Sequence, residues 1–389
     1  MQKWLKFNIS YIATFILICF SMDVAICSTA ALPFQTLMYV LQGALVVYLL
    51  RLPSQNIIDK GPVLFFSISI LLVGAVHGFN SLTYPYKIFL IVMCYLIALK
   101  VPKHQIQETY IKIMYILAVI SLIFYVLVNF VGYAGPFMEY SSAVNEGRSY
   151  STNLLYTYLT AWPNRNGGIF HEPGAYQIYL NLALLAYYNI NKTILIDKKN
   201  IIYYITIFTT LSSAGIIIAG CILCIRIIQM RKIETSGVFM LLLFAFLAYF
   251  GLQRFNDVIF YKLYAGVEES GSAFARYYSV FIPMRIMLDY PIFGCGALEF
   301  NDVISQYRAL GISLTPGSIT NSITTNFATS GFVVGMFYLV GWCRGIKDWC
   351  SNYGYIILVI FASLMLVSCE NITYSVIFNY FIILGLSKK

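Results

Sequence analysis

Apolar residues run through this chain in long blocks separated by short polar stretches, with little of the alternating spacing that marks half-buried strands. A helix needs roughly 17 to 25 mostly apolar residues to cross a bilayer. Blocks of that order lie at 9–28, 33–50, 62–80, 84–100, 111–131, 173–190, 233–253, 322–342, 353–369 and 372–386. The block over 200–229 is too long for one crossing and is interrupted by Ser212 and Ser213, so it divides into short helices over 200–211 and 213–229. The pattern predicts an all-α polytopic membrane protein of about 12 transmembrane helices, a single integral membrane domain over 1–389. The first block follows Lys3 and Lys6 as a signal peptide's apolar core would, but it is long enough to span and further blocks follow, so it reads as a retained helix.

Charge tests that layout, because the cytoplasmic loops of membrane proteins collect Lys and Arg. With both termini cytoplasmic, the cytoplasmic stretches hold Lys3, Lys6, Arg51, Lys60, Lys100, Lys103, Lys112, Lys192, Lys198, Lys199, Arg226, Arg231, Lys232, Arg344, Lys347, Lys388 and Lys389, which is 17 of the 25 basic residues. A single crossing over 200–229 would invert every later segment and lose this asymmetry. Composition agrees: 60% hydrophobic residues, 11% charged residues and a mean hydropathy of +0.76 leave too little polar surface for a soluble globule. The net charge of +9 sits in short clusters between apolar blocks, where topology determinants belong, so no nucleic-acid partner is implied. The nine cysteines, among them Cys19, Cys94, Cys221 and Cys224, lie mostly inside apolar blocks without metal or disulfide spacing and read as small core residues.

Two loops on the extracytoplasmic side, 132–172 and 254–321, exceed the length at which a connection is usually structural only, about 15 residues. In the second, Tyr277, Phe281, Met284 and Leu288 recur at helical spacing over 275–290 and Pro291 stops the pattern, which predicts an interfacial helix. These loops carry Arg148, Arg165, Arg254, Lys262, Arg276, Arg285 and Arg308, six of the seven being arginine. Long loops are exempt from the charge rule, so solvation accounts for any one of them. As a set they suit an anionic substrate, since guanidinium forks bind diphosphate bidentately and need no metal.

The stretch "NRNGGIFHEPG" (164–174) places Arg165, His171 and Glu172 at the threshold of an apolar block. Glu172 precedes Pro173, a residue favoured in the first turn of a helix, so its carboxylate falls at a helix N-terminus. Two roles fit it there, helix capping and acid or base chemistry, and His171 reads as its neighbour. There are only three histidines (His77, His104, His171), no DxD pair, and an isolated Glu268-Glu269, so neither a metal nor another cofactor is expected. GxSxG, a phosphate-binding glycine loop and HExxH are absent. Asp23, His77 and Lys87 fall at outer span ends, which shows no proton relay through the bilayer.

With these residues in view, the run Arg165, Gly168, Phe170, Glu172, Pro173, Gly174 resembles the R-x-x-G-x-F-x-E-P segment of Wzy-type O-antigen and capsule repeat-unit polymerases. "TTLSSAGIIIAG" (209–220) resembles the family's T-x-S-x-x-G turn, "ARYYSVFIPMRIMLDYPIFGCGALEF" (275–300) its R…P-x-x-G-x-G-x-x-x-F loop, and "NSITTNFATSGFVVGMFYLVG" (321–341) its H-N…G-x-x-G segment. The resemblance covers roughly 165–341. It implies a GT-C-like, metal-independent glycosyltransferase in the bacterial inner membrane, acting at its outer face on undecaprenyl-diphosphate-linked oligosaccharides, with the lipid bilayer as its setting and room for a separate chain-length regulator protein. Arg276 matches the family's loop arginine. The chain departs from the related O-antigen ligases at Ser213, where many carry an arginine after the serine, and at Asn321-Ser322, where they carry His-Asn, which favours polymerase over ligase. A flippase or other transporter is the third reading, and the sequence shows neither the two related halves nor the charged or helix-broken midplane sites expected of it. Glu172, Arg276 and Arg165 are the expected catalytic groups, with Arg254, Arg285, His171, Asn321 and Tyr277 expected to bind substrate. Tyr150, Tyr156, Tyr158, Tyr277 and Tyr278 suit either sugar stacking or an interfacial aromatic belt.

Overall fold

A computed structural model describes residues 2–28, 32–79, 81–133, 135, 137–141, 149–160, 163–191, 197–230, 271–308, 319–352 and 355–387. The expected span over 233–253, along with Arg148, Arg254, Lys262 and Glu268-Glu269, lies outside the described residues. The apolar blocks fold as helices: α1 (Gln2–Cys19), α2 (Ala25–Ser28), α3 (Leu32–Leu50), α4 (Gly61–Val76), α5 (Thr83–Lys100) and α6 (Lys103–Phe130), then α7 (Pro173–Ile190), α8 (Lys198–Thr209) and α9 (Ser213–Gln229). After these come α10 (Gly271–Asp289), α11 (Phe300–Arg308), α12 (Ser322–Trp349), α13 (Ile356–Val367) and α14 (Val376–Leu386). The chain is mostly helical (72%), and α5, α6 and α12 are long and apolar enough to cross a membrane. Several shorter apolar helices accompany them, among them Phe34–Leu50, Gly61–Val76, Ser213–Gln229 and Val376–Leu386.

Local chemistry sets the helix starts. Asp197 caps α8 by accepting the N–H groups of Lys199 (2.9 Å) and Asn200 (3.0 Å), and Asn200 returns the bond by accepting the Asp197 N–H (2.9 Å). The 200–229 block divides at its serines: α8 ends at Thr209, Leu211 turns with φ 50°, and Ser212 caps α9 through the Gly215 N–H (3.4 Å).

Three features depart from the sequence reading. The block over 9–28 is not one helix: α1 stops at Cys19, and Val24 pairs with Phe170 as an isolated bridge, because Asp23 finds its partners outside a helix, in the His171 N–H and the Tyr179 hydroxyl. The expected all-α fold contains a small antiparallel sheet inside the 132–172 loop, in the order β1 (Met138–Ser141), β2 (Ser149–Thr152), β3 (Thr157–Leu159). Its Ser, Thr and Tyr residues suit strands, and Asn153 Oδ1 closes the β2–β3 turn by accepting the N–H groups of Leu155 (3.2 Å) and Tyr156 (2.9 Å). Cys221 and Cys224 are exposed on α9, not core residues.

The chain divides into two compact units. The first takes Met1–Ala44, Val101–Phe255 and Trp349–Leu366. Its axis is α7, buried at every position from Pro173 to Asn189 and packed on α6, α8 and α9. Among its backbone groups, the Tyr179 carbonyl accepts the Tyr110 hydroxyl of α6 (3.1 Å). The second unit takes Leu45–Lys100, Asn256–Asp348 and Val367–Lys389. Here α14 is the buried helix, packed on α5 and α4.

Within the second unit, α12 carries a break. Gly331 has φ 80° and ψ 178°, outside the helical region, so its helical hydrogen-bond ladder is interrupted. The orphaned backbone groups are taken up by the 291–296 turn. Phe332 donates its N–H to the Pro291 carbonyl (2.8 Å), while the N–H groups of Cys295 and Gly296 bond the carbonyls of Ala328 (2.9 Å) and Thr329 (3.2 Å).

Candidate functional site

In the first unit, residues 164–174 form a tight turn that leads into α7, and the buried Asn166 organises it. Its backbone N–H donates to the Thr209 carbonyl (2.9 Å), its Nδ2 to Ser121 Oγ (3.2 Å) and Thr209 Oγ1 (2.9 Å), and its Oδ1 accepts the Gly168 N–H (3.0 Å). Gly168 has φ 55°, and a Cβ there would stand 2.8 Å from the Tyr176 ring. Its carbonyl accepts the Thr157 N–H (2.6 Å), which ties the turn to β3. Phe170 then packs its ring on Tyr176 and Tyr179, with centroids 5.2 and 4.4 Å away.

His171 is buried, and both its backbone N–H (3.0 Å) and its Nδ1 (2.7 Å) point at the carbonyl of Asp23. A carbonyl only accepts, so Nδ1 carries the proton. The Asp23 carboxylate is buried too and accepts the Tyr179 hydroxyl (2.7 Å). The break after α1 therefore seats residues 23–25 against the 169–171 segment, where Ala25 also donates to the Ile169 carbonyl (2.9 Å).

Glu172 is half-buried and occupies the N-cap position of α7 with extended backbone (φ −138°, ψ 145°). Its side chain makes no capping hydrogen bond; instead Tyr150 of β2 donates its hydroxyl to Oε1 (3.2 Å). Of the two roles left open by the sequence, the geometric one of a side-chain cap is not the one it performs. Arg165 is half-buried, with Nε donating to the Thr210 carbonyl (3.2 Å), which fixes the plane of its guanidinium.

The second unit gathers a different set. Arg276 is half-buried on α10. One helical turn along, Ser279 Oγ accepts the Thr320 N–H (2.9 Å) and its carbonyl accepts the Thr324 hydroxyl (2.7 Å), which docks α10 on the start of α12. The same start grips residues 368–372: Thr320 Oγ1 donates to the Ser368 carbonyl (2.9 Å), Asn321 Nδ2 to Ser368 Oγ (2.9 Å) and Ser322 Oγ to the Glu370 carbonyl (3.1 Å).

Asn321, expected to bind substrate, is buried and engaged as a cap: its Oδ1 accepts the N–H groups of Ile323 and Thr324, both at 3.0 Å. Arg285, likewise expected at the substrate, stands exposed on α10 and pairs with Asp289 four residues on at 3.7 Å, the arrangement of a solvated helix face. Tyr277 is exposed and stacks on Phe281 (centroids 4.5 Å apart). Tyr150 and Tyr156 are buried, which removes their ring faces from sugar stacking. A small cleft is lined by His77, Ser81, Tyr84, Gly296, Ala297, Leu298 and Glu299, and none of the expected site residues lines it.

The sequence reading passed over Asn166 and gave Asp23 no role in the site. Neither carries a spacing signal, because each works through contacts to residues dozens of positions away. Fold and site together define a mostly helical, membrane-associated chain with a cluster of polar groups at the start of an apolar helix in each unit. No protein-family model matches the chain, and no curated protein matches its sequence.

Proposed function

We propose that this chain is a twelve-span membrane glycosyltransferase that polymerises undecaprenyl-diphosphate-linked oligosaccharide repeat units into O-antigen or capsular polysaccharide at the outer face of a bacterial inner membrane. The observation that carries the reading is Glu172: a half-buried carboxylate at a helix start that makes no side-chain capping hydrogen bond and accepts a tyrosine hydroxyl, in the segment whose residue pattern resembles the polymerases. A group so placed suits proton transfer at the edge of an apolar helix.

In this mechanism a sugar hydroxyl of the incoming repeat unit attacks the anomeric carbon of the growing chain. The new glycosidic C–O bond forms as the bond from that carbon to the diphosphate breaks, and undecaprenyl diphosphate departs. Glu172 takes the hydroxyl proton and Arg165 of the same turn neutralises charge building on the leaving diphosphate, while Arg276, in the other unit, is assigned a diphosphate role by the resemblance alone. The leaving group is already activated, so positioning and charge neutralisation are the main demands on the protein. Deleting the gene and displaying lipopolysaccharide or capsule on a gel tests the reading. A single repeat unit on the core is the expected outcome, and loss of all repeats would instead mean a ligase or a flippase.

A further inference from the structure

The break at Gly331 divides α12 into two arms, 322–330 and 332–349. The Phe327 ring of the first arm rests against Gly335 of the second, where a Cβ would overlap it, and the Phe327 and Phe332 rings are 6.1 Å apart. Lys87 of α5 reaches both arms and is 1% exposed. Its Nζ donates to Asn326 Oδ1 on the first arm (2.9 Å), stands 5.7 Å from the Tyr338 ring centroid on the second, and 5.8 Å from that of Tyr374 in the turn before α14. Its polar partner is thus an amide, not a carboxylate. A buried amino group is costly to leave without its hydrogen bond, so the arrangement of the two arms and the turn that keeps the Asn326 bond and the two aromatic contacts is favoured over others.

The first arm is also the platform for α10. Asn326 Nδ2 bonds the Ser322 carbonyl (2.7 Å) and Thr373 Oγ1 (3.3 Å), and the same arm holds Ser279 through Thr324, with Thr320 just before the arm adding a second bond, one helical turn from Arg276. We propose that Lys87 is a positioning residue: by fixing Asn326 it sets the place of the first arm of α12, and through Ser279 the place of Arg276. The link to Arg276 chemistry rests on the glycosyltransferase reading; the pin itself does not.

Full-length protein in lipid nanodiscs, as wild type, Lys87→Met and Lys87→Arg, tests this by amide hydrogen exchange. In Lys87→Met, exchange over 321–330 and 277–283 should rise about tenfold or more while α7 stays unchanged, and Lys87→Arg should restore most of the protection. With lipid-linked repeat units extracted from a strain that carries the gene as the probe substrate, Lys87→Met should lower kcat about tenfold with KM nearly constant, and Lys87→Arg should recover it. Lys87→Gln, which keeps a donor without the charge, replaces the methionine variant if that one does not accumulate, with the same local exchange expected. Unchanged exchange in the arm overturns the pin, as does a rise spread evenly over the second unit, which would mean general packing. Local exchange with normal turnover overturns the link to Arg276. Local exchange in a protein whose wild type makes no polymer supports the pin and removes the glycosyltransferase reading.

Discussion

Gly331→Ala probes the joint on which the second cluster depends. At φ 80° and ψ 178° an alanine sits where essentially only glycine is tolerated, a strain of about 1 to 3 kcal/mol. The new Cβ would also overlap the Ile292 carbonyl, so the 291–296 turn must retreat. That turn is held to α12 by the bonds Phe332 N–H to Pro291 O (2.8 Å), Cys295 N–H to Ala328 O (2.9 Å) and Gly296 N–H to Thr329 O (3.2 Å). Losing bonds worth about 1 kcal/mol each adds about 3 kcal/mol, for a total of about 4 to 6 kcal/mol. Against a native stability of about 5 to 15 kcal/mol, this removes from about a third to all of the margin.

The assay is thermal: purified protein in detergent is heated in steps, and the fraction remaining monodisperse is followed by size exclusion. At about 2 to 4 °C per kcal/mol for a domain of this order, the midpoint should fall by about 10 °C or more. Gly43→Ala is the control, because that glycine lies inside α3 with nothing within 4 Å of where its Cβ would stand, so the change should be neutral or mildly stabilising. A Gly331→Ala midpoint equal to that of Gly43→Ala would refute the joint.

Glu172→Gln should collapse the polymer ladder to a single repeat, since losing a positioned base costs about 100- to 10,000-fold in rate and no side-chain cap is lost with it; normal polymer would make the residue structural. Arg276→Ala should abolish the ladder and Arg276→Lys should rescue it poorly, because lysine keeps the charge without the bidentate fork; full rescue on the gel would show that charge alone suffices. Asp23→Ala removes the acceptor of the buried Tyr179 hydroxyl and should cost about 1 to 3 kcal/mol, seen as a lower thermal midpoint; an unchanged midpoint would mean the 20–28 segment does not anchor the site.

The helices were legible where apolar length decides: α5 lies where the 84–100 block predicts it, and α8 and α9 part at the serines. The reading failed where a polar residue finds a distant partner. Asp23 and Ser21 inside the first block look tolerable on hydropathy, yet the segment that holds them pairs with residues near 170, so the helix stops at Cys19. The small sheet was illegible for a related reason. Its strands of three and four residues are too short for a period to register, and they are held by pairings such as Tyr150 with Leu159, which only the fold brings together.

The site was legible as a set of places more than as a set of roles. In "RNGGIFHEPG" most positions turn out to build the turn: Asn166 bonds across it, Gly168 permits it, Phe170 and His171 fasten it to Tyr179 and Asp23. The late segment behaves alike, with Asn321 as a cap and Gly331 as a break. A likeness in such residues is therefore first a likeness in backbone geometry, and several protein activities could share that geometry. Under the proposed function, Glu172, Arg165 and Arg276 are the half-buried ionisable side chains assigned to chemistry, whereas Asn166 and Asn321 hold their turns through amide bonds to the backbone. Substitutions at those three should then change turnover with little change in melting, whereas substitutions at Asn166 or Gly331 should change melting first.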